Sequence, residues 1–185
     1  VFFMHYQPER TSIPEAGSYA IQAKAIMELR LALPIEYRLI VKEHPSTFRN
    51  NFSKGFRSME FYKMISSMEG VDFVSLDTDP FELIDSAIFV STLTGTIGSE
   101  ALFRNKKVIV FGNSVYTDYQ ECLRVSSYKE LEAALKNILF LKGGRCKVDT
   151  DFYDYLYNTL LMSHKNTHGI FSCNALEWLL INNSK

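Results

Sequence analysis

Five short apolar runs recur along the chain, each parted from the next by a stretch of helical periodicity, and this alternation limits the fold more than any other feature. "VFFMHY" (1–6), "YRLIVKEH" (37–44), "VDFVSL" (71–76), "AIFVST" (87–92) and "KVIVFG" (107–112) read as strands, being rich in β-branched and aromatic residues. Residues 15–33 place Ala23, Ile26, Leu29 and Leu33 on one helical face, and Pro34 closes that helix. Helices are also predicted over 58–68, with Gly70 where a C-terminal cap belongs, over 79–86, opened by Asp79 and Pro80, and over 97–104. Ser127 and Glu130 form a capping box for a helix carrying Leu131, Leu135 and Ile138. Strands alternating with helices of these lengths mean βαβ units. The predicted fold is therefore α/β, an open parallel sheet of about five strands with helices on both faces.

Two further helices are expected, about 150–163 and 173–182, after a linker-like "LKGGRCKVD" (141–149). The expected division is a wound domain over 1–145, with the helices of 146–185 packing on it or on a preceding domain. That preceding domain is expected because the chain opens inside a strand-like run without an initiator methionine. The 185 residues suffice for one such unit with a real core.

A parallel sheet brings all its strand ends to one edge, where ligands bind in open α/β sheets. Four loops converge there: "HYQPERT" (5–11), "KEHPS" (42–46), "LDTDP" (76–80) and "STLTGTIGSE" (91–100). Each is more polar than a connecting turn needs. The last contains Thr92, Thr94, Gly95, Thr96 and Gly98 before a helix opening near Gly98 and Ser99. Its glycines let a ligand approach the backbone, and a helix start favours an anion such as phosphate. Glu100 is placed to accept ribose hydroxyls. The alternative for this loop is simply a capped helix.

His44 ends a buried strand and precedes a proline. A lone histidine is more often structural, but at a ligand edge an imidazole can donate to a phosphate oxygen. Lys42 and Glu43 alternate in direction if the strand continues, so one of them at most shares the cleft with His44. Gln7 and Pro8 read either as ligand contacts or as a kinked strand end. Asp77 and Asp79 make a weak metal site, and helix capping by Asp79 is the simpler reading.

Several classes are excluded. No glycine follows the first strand, so the dinucleotide fingerprint is missing, and the P-loop pattern does not occur either. A net charge of −1 argues against wholesale nucleic-acid binding. Cys122, Cys146 and Cys173 are far apart, without zinc-ligand spacing, and suit a reducing compartment. No apolar run approaches a membrane-spanning length.

"HYQPER", "VKEHPS", "TDPFELI" and "STLTGTIGSEAL…NKKVIVFGN" resemble the C-terminal half of bacterial capsule polysaccharide synthesis proteins. These look like GT-B glycosyltransferases, with two Rossmann-like domains and a cleft between them. The likeness covers roughly residues 1–125, and the Gln7–Pro8 and His44–Pro45 pairs are similar to the paired motifs of capsular Kdo transferases. The resemblance implies a Rossmann-like domain that binds a nucleotide-activated, CMP-linked sugar without a metal or other cofactor. Gln7, Pro8, Glu9, Lys42, His44 and Pro45 would hold the nucleotide, and Thr92, Thr94, Gly95, Thr96, Gly98 and Ser99 would receive phosphate. Glu100 would take ribose, and His44 would be the catalytic group, stabilising the leaving phosphate. A glycan or glycolipid acceptor would bind through the preceding domain, so transfer by this piece alone is not expected. The implied place is cytoplasmic, at the inner face of the bacterial membrane, with peripheral membrane association open for a longer protein. A nucleotide-sugar epimerase half-domain and a non-catalytic α/β module are the competing readings. An epimerase would need acid/base groups in both halves, and this half has few beyond His5 and His44.

Overall fold

The computed structural model describes residues 1–7, 16–48, 57–140, 152, 154–156 and 158–159. Six strands form one sheet: β1 (Phe2–Phe3), β2 (Leu39–Lys42), β3 (Val71–Phe73), β4 (Phe89–Thr92), β5 (Lys107–Val110) and β6 (Cys122–Arg124). Their order is β3-β2-β1-β4-β5-β6, and every pairing is parallel. In register, Phe3 sits between Lys42 and Thr92, so the ends of β1, β2 and β4 finish level with one another.

The helices are α1 (Gln22–Ala32), α2 (Met59–Ser66), α3 (Pro80–Ser86), α4 (Ile97–Phe103) and α5 (Tyr128–Phe140). Alternation along the strands sorts the core into two layers. Phe2, Val41 and Ile109 pack with Ile26 and Leu29 of α1, Ile65 of α2 and Leu131 of α5. Phe3, Val90, Val108 and Val110 pack with Ile84 of α3 and Ala101 and Leu102 of α4. Helices thus cover both faces, as the alternating pattern requires.

Three details differ from the sequence reading. β6 was not expected, because "CLR" has a single large aliphatic residue. It forms because β5 is buried and its outer edge needs partners, which it finds in register with Cys122, Leu123 and Arg124. The helix expected over 15–33 is broken: a 3-10 turn spans Gly17–Ala20, Ile21 is extended (φ −78°, ψ 90°), and only then does α1 begin. Gly17, at φ +53°, takes the left-handed conformation that stops a single continuous helix. The capping box forms by half: the Ser127 hydroxyl accepts the Glu130 N–H at 3.3 Å, while the Glu130 carboxylate reaches one residue further out, accepting from the Ser126 N–H and hydroxyl at 2.7 and 2.8 Å.

Beyond α5, Phe152 and Leu156 are buried on the second face, with the Phe152 ring 4.5 Å from Tyr119 and 4.7 Å from Phe103. The linker at 141–149 and the helix expected at 173–182 lie outside the described residues. Among the described residues, no helix is long and apolar enough to cross a membrane.

Candidate functional site

β1 continues through α1 to β2, on one side of it in the sheet, while β4 continues through α4 to β5, on the other. The chain parts between β1 and β4, and such a switch point leaves a crevice outside the strand ends. A cavity of about 470 Å³ lies there. All four polar loops reach it: His5 and Tyr6 after β1, Lys42 to Pro45 after β2, Leu76, Thr78 and Pro80 before and at the start of α3, and Thr92, Thr94 to Ile97 and Glu100 after β4.

The loop after β4 is held from behind. Thr94 donates its backbone N–H to Nε2 of buried His5 at 3.0 Å. The Tyr116 hydroxyl donates to the Gly95 carbonyl. A Cβ on Gly95 would lie 3.0 Å from Thr92 Oγ1 and 3.1 Å from His5 Nε2, a tight fit that makes these neighbours yield slightly to any larger residue. Several polar groups of this loop have no partner among the described residues. The backbone N–H groups of Gly95, Thr96 and Ile97 donate to nothing among the described residues. Thr92 is 1% exposed, yet its hydroxyl has no partner among the described residues, which is uncommon for a buried polar atom. The Glu100 carboxylate also accepts no hydrogen bond among the described residues. Burial raises its pKa, with Arg104 opposing the shift.

His5 must be neutral to accept from Thr94. Burial, with the nearby His44 and Arg57 charges adding to it, lowers its pKa to about 4. His44 is exposed at the cavity, its ring 6.2 Å from that of Tyr6. Its Nδ1 accepts the Ser46 N–H at 3.2 Å and caps the 3-10 turn Pro45–Thr47. A neutral ring used this way carries its proton on Nε2, which is then a donor. His44 is therefore a turn residue, and its second nitrogen has no hydrogen-bond partner among the described residues. Lys42 is buried, with Nζ donating to the carbonyls of Ser75 and Leu76 at 2.9 and 2.6 Å, which ties the loop after β3 to the cavity wall. Burial lowers its pKa, while Asp77 acts against that shift.

Glu43 also borders the cavity, so it and Lys42 both share the cleft with His44, contrary to strand alternation; its carboxylate pairs with Arg57 behind the wall, Nε to Oε2 at 2.9 Å, with side chains 5% and 4% exposed. Glu43 also accepts from the His44 N–H at 2.8 Å, Thr47 Oγ1 at 3.1 Å and the Tyr62 hydroxyl at 2.8 Å. Arg57 also donates to Gln7 Oε1 at 3.1 Å and to the His5 carbonyl at 3.0 Å. Nothing in the spacing of Arg57 marks it out. The one sequence signal was Glu43 itself, an acid at the end of an apolar strand, which needs a cation if it is buried.

Of the residues selected from sequence, Lys42, His44, Pro45, Thr92, Thr94, Gly95, Thr96 and Glu100 line the cavity. Gln7 does not: its amide donates to the Ala20 carbonyl at 2.7 Å and accepts from Arg57. Ser99 turns back to the Thr96 carbonyl at 2.6 Å. Gly98 serves packing, since a Cβ there would lie 2.2 Å from the hydroxyl of buried Tyr116. Pro8 and Glu9 lie outside the described residues. Gly98→Ala is expected to cost about 1–3 kcal/mol of stability, as overpacking of a tight core does. Gly95→Ala meets only contacts of 3.0 Å and longer and should cost less; urea denaturation of the two variants checks the order.

The sequence model of one protein family, described as capsule polysaccharide biosynthesis protein, matches residues 19–119. No protein of curated function matches. Among solved structures, the chain is similar to Thermosulfurimonas dismutans KpsC, a beta Kdo 2,7 transferase, with a TM-score of 0.51 and 17% identity. The likeness covers 85% of this chain and 53% of that one, so the chain spans about half the length of that structure. At that identity the likeness establishes the fold, a parallel α/β sheet of the same type.

Proposed function

The chain belongs to the capsule polysaccharide biosynthesis proteins, and from that premise we propose that its cavity binds a nucleotide-activated sugar, as the donor-binding part of a glycosyltransferase of capsule or surface polysaccharide assembly. One observation carries the reading: polar groups without a partner among the described residues gather at one cavity, at the switch point. These are the N–H groups of Gly95, Thr96 and Ile97, the Thr92 hydroxyl and the Glu100 carboxylate. Donors of that kind suit phosphate oxygens, and a carboxylate beside them suits a ribose diol.

In this reading the nucleotide, of which CMP is the form favoured, is the leaving group. Its developing charge is met by preorganised donors, which lowers the barrier directly. His44 Nε2–H is one such donor, and the amides of Gly95 to Ile97 are the others. Lys42 adds positive charge from the wall. Gln7 contributes through Arg57 and the strand end. Pro45 fixes the turn that His44 caps. The sugar acceptor, a glycan or glycolipid, is bound by another domain of the transferase.

Thermal-shift measurements across CMP, UDP, GDP and their sugars test this reading. A shift with one nucleotide class is expected, and silence across the whole panel would overturn it. His44→Ala is expected to weaken nucleotide affinity by roughly 1.5–3 kcal/mol, the range for hydrogen bonds to charged groups, about tenfold to over a hundredfold in Kd. Its melting temperature should change little, because the side chain is exposed and only caps a 3-10 turn. Unchanged affinity with a clear loss of stability would make His44 a turn residue alone.

A further inference from the structure

The strand ladder between β1 and β2 stops at Met4, whose N–H donates to the Lys42 carbonyl at 2.9 Å. Past that point the two chains carry His5 and His44 to the cavity without ladder bonds, and other groups take over. Thr94 N–H donates to His5 Nε2 at 3.0 Å. The His5 carbonyl accepts from Arg57 Nη2 at 3.0 Å. Arg57 Nε reaches Glu43 Oε2 at 2.9 Å, and Glu43 Oε1 accepts the His44 N–H at 2.8 Å. The series runs unbroken from the loop after β4 to His44. Arg57 stands at its centre and does not itself line the cavity.

We infer that Arg57 is a positioning residue: acting through Glu43 and His5, it sets where His44 stands relative to the Thr94–Ile97 backbone, and so sets how tightly the cavity holds a nucleoside phosphate. This rests on the donor-site reading above. The fork of the guanidinium is what suits it to the task. Its nitrogens reach a carboxylate, a backbone carbonyl and an amide oxygen at once, and a planar cation bonded on several edges has one orientation. A lysine there would keep the charge and lose the fork. The Phe61 ring, 5.0 Å from the guanidinium carbon, closes the remaining face.

The test is a double-mutant cycle read by calorimetric titration, with whichever of CMP, UDP and GDP binds the wild-type chain most tightly. Arg57→Lys is measured alone and combined with His44→Ala, with a melting curve for each protein. Arg57→Lys should weaken binding about tenfold when His44 is present and less than about twofold when it is absent, the coupling expected within one hydrogen-bonded network. The drop in melting temperature should be the same in both backgrounds. Equal weakening in both backgrounds, or no weakening in either, overturns the positioning role. Should Arg57→Lys fail to fold, Tyr62→Phe takes its place, removing a 2.8 Å bond to Glu43 while keeping the ring; a background-dependent loss supports the role and an equal loss overturns it. No binding of any of the three nucleotides by the wild-type chain overturns the donor-site reading instead.

Discussion

Glu43→Ala should cost about 3–5 kcal/mol, the penalty for removing one partner of a buried ion pair. The Arg57 guanidinium would lose the Glu43 carboxylate while staying 5% exposed. The His44 N–H and the hydroxyls of Thr47 and Tyr62 would lose their acceptor in the same step. Set against a typical stability of about 5–15 kcal/mol, the loss leaves a marginal fold. The exposed pairs Arg38–Asp72 and Arg104–Asp85 provide the contrast, since removing a surface partner changes stability by about 0–1 kcal/mol. Urea denaturation of Glu43→Ala and Asp72→Ala checks the difference. A Glu43→Ala loss as small as that of Asp72→Ala would mean that the pair is solvated rather than buried.

His5 makes acid stability the second large effect. Its pKa is lowered to about 4 in the fold, from the ordinary value near 6.5. Between these values the unfolded chain binds a proton that the folded chain refuses. The contribution is therefore complete above about pH 6.5 and is lost as pH falls through about 4, amounting to about 3 kcal/mol. His5→Gln retains an acceptor for the Thr94 N–H and removes the titration. The difference in unfolding free energy between wild type and His5→Gln, followed from pH 7.5 down to about 4, isolates His5 from every other titrating group. Wild type should lose about 3 kcal/mol more than the variant over that range. Parallel curves would mean that His5 is solvated and does not hold the loop.

The layered sheet was legible because its signal is local. Runs such as "RLIV" and "VIVF" have no other way to bury both faces, and the helices between them force parallel pairing. β6 escaped detection because its pairing is decided by the edge of β5, not by its own composition. The site divides the same way. Polar loops at the strand ends could be counted from sequence, and eight of the residues selected do line the cavity: Lys42, His44, Pro45, Thr92, Thr94, Gly95, Thr96 and Glu100. What sequence could not supply was direction. Gln7 carries the right groups, but Ala20 and Arg57 take both ends of its amide. Gly98 looked like room for a ligand and is room for Tyr116, a partner fixed only by how the segment after β5 folds back. Arg57 and Glu43 find each other across fourteen positions, from Glu43 to Arg57, with no periodicity to join them.

A nucleoside phosphate received by the amides at the switch point would register in backbone amide NMR during a CMP titration. Saturable shifts are expected at Gly95, Thr96 and Ile97, with smaller ones at His44, Lys42 and Glu100, and none at Lys107 or Asp72, which sit away from the cavity. Shifts scattered over the surface, or clustered away from the Thr94–Ile97 loop, would contradict such binding.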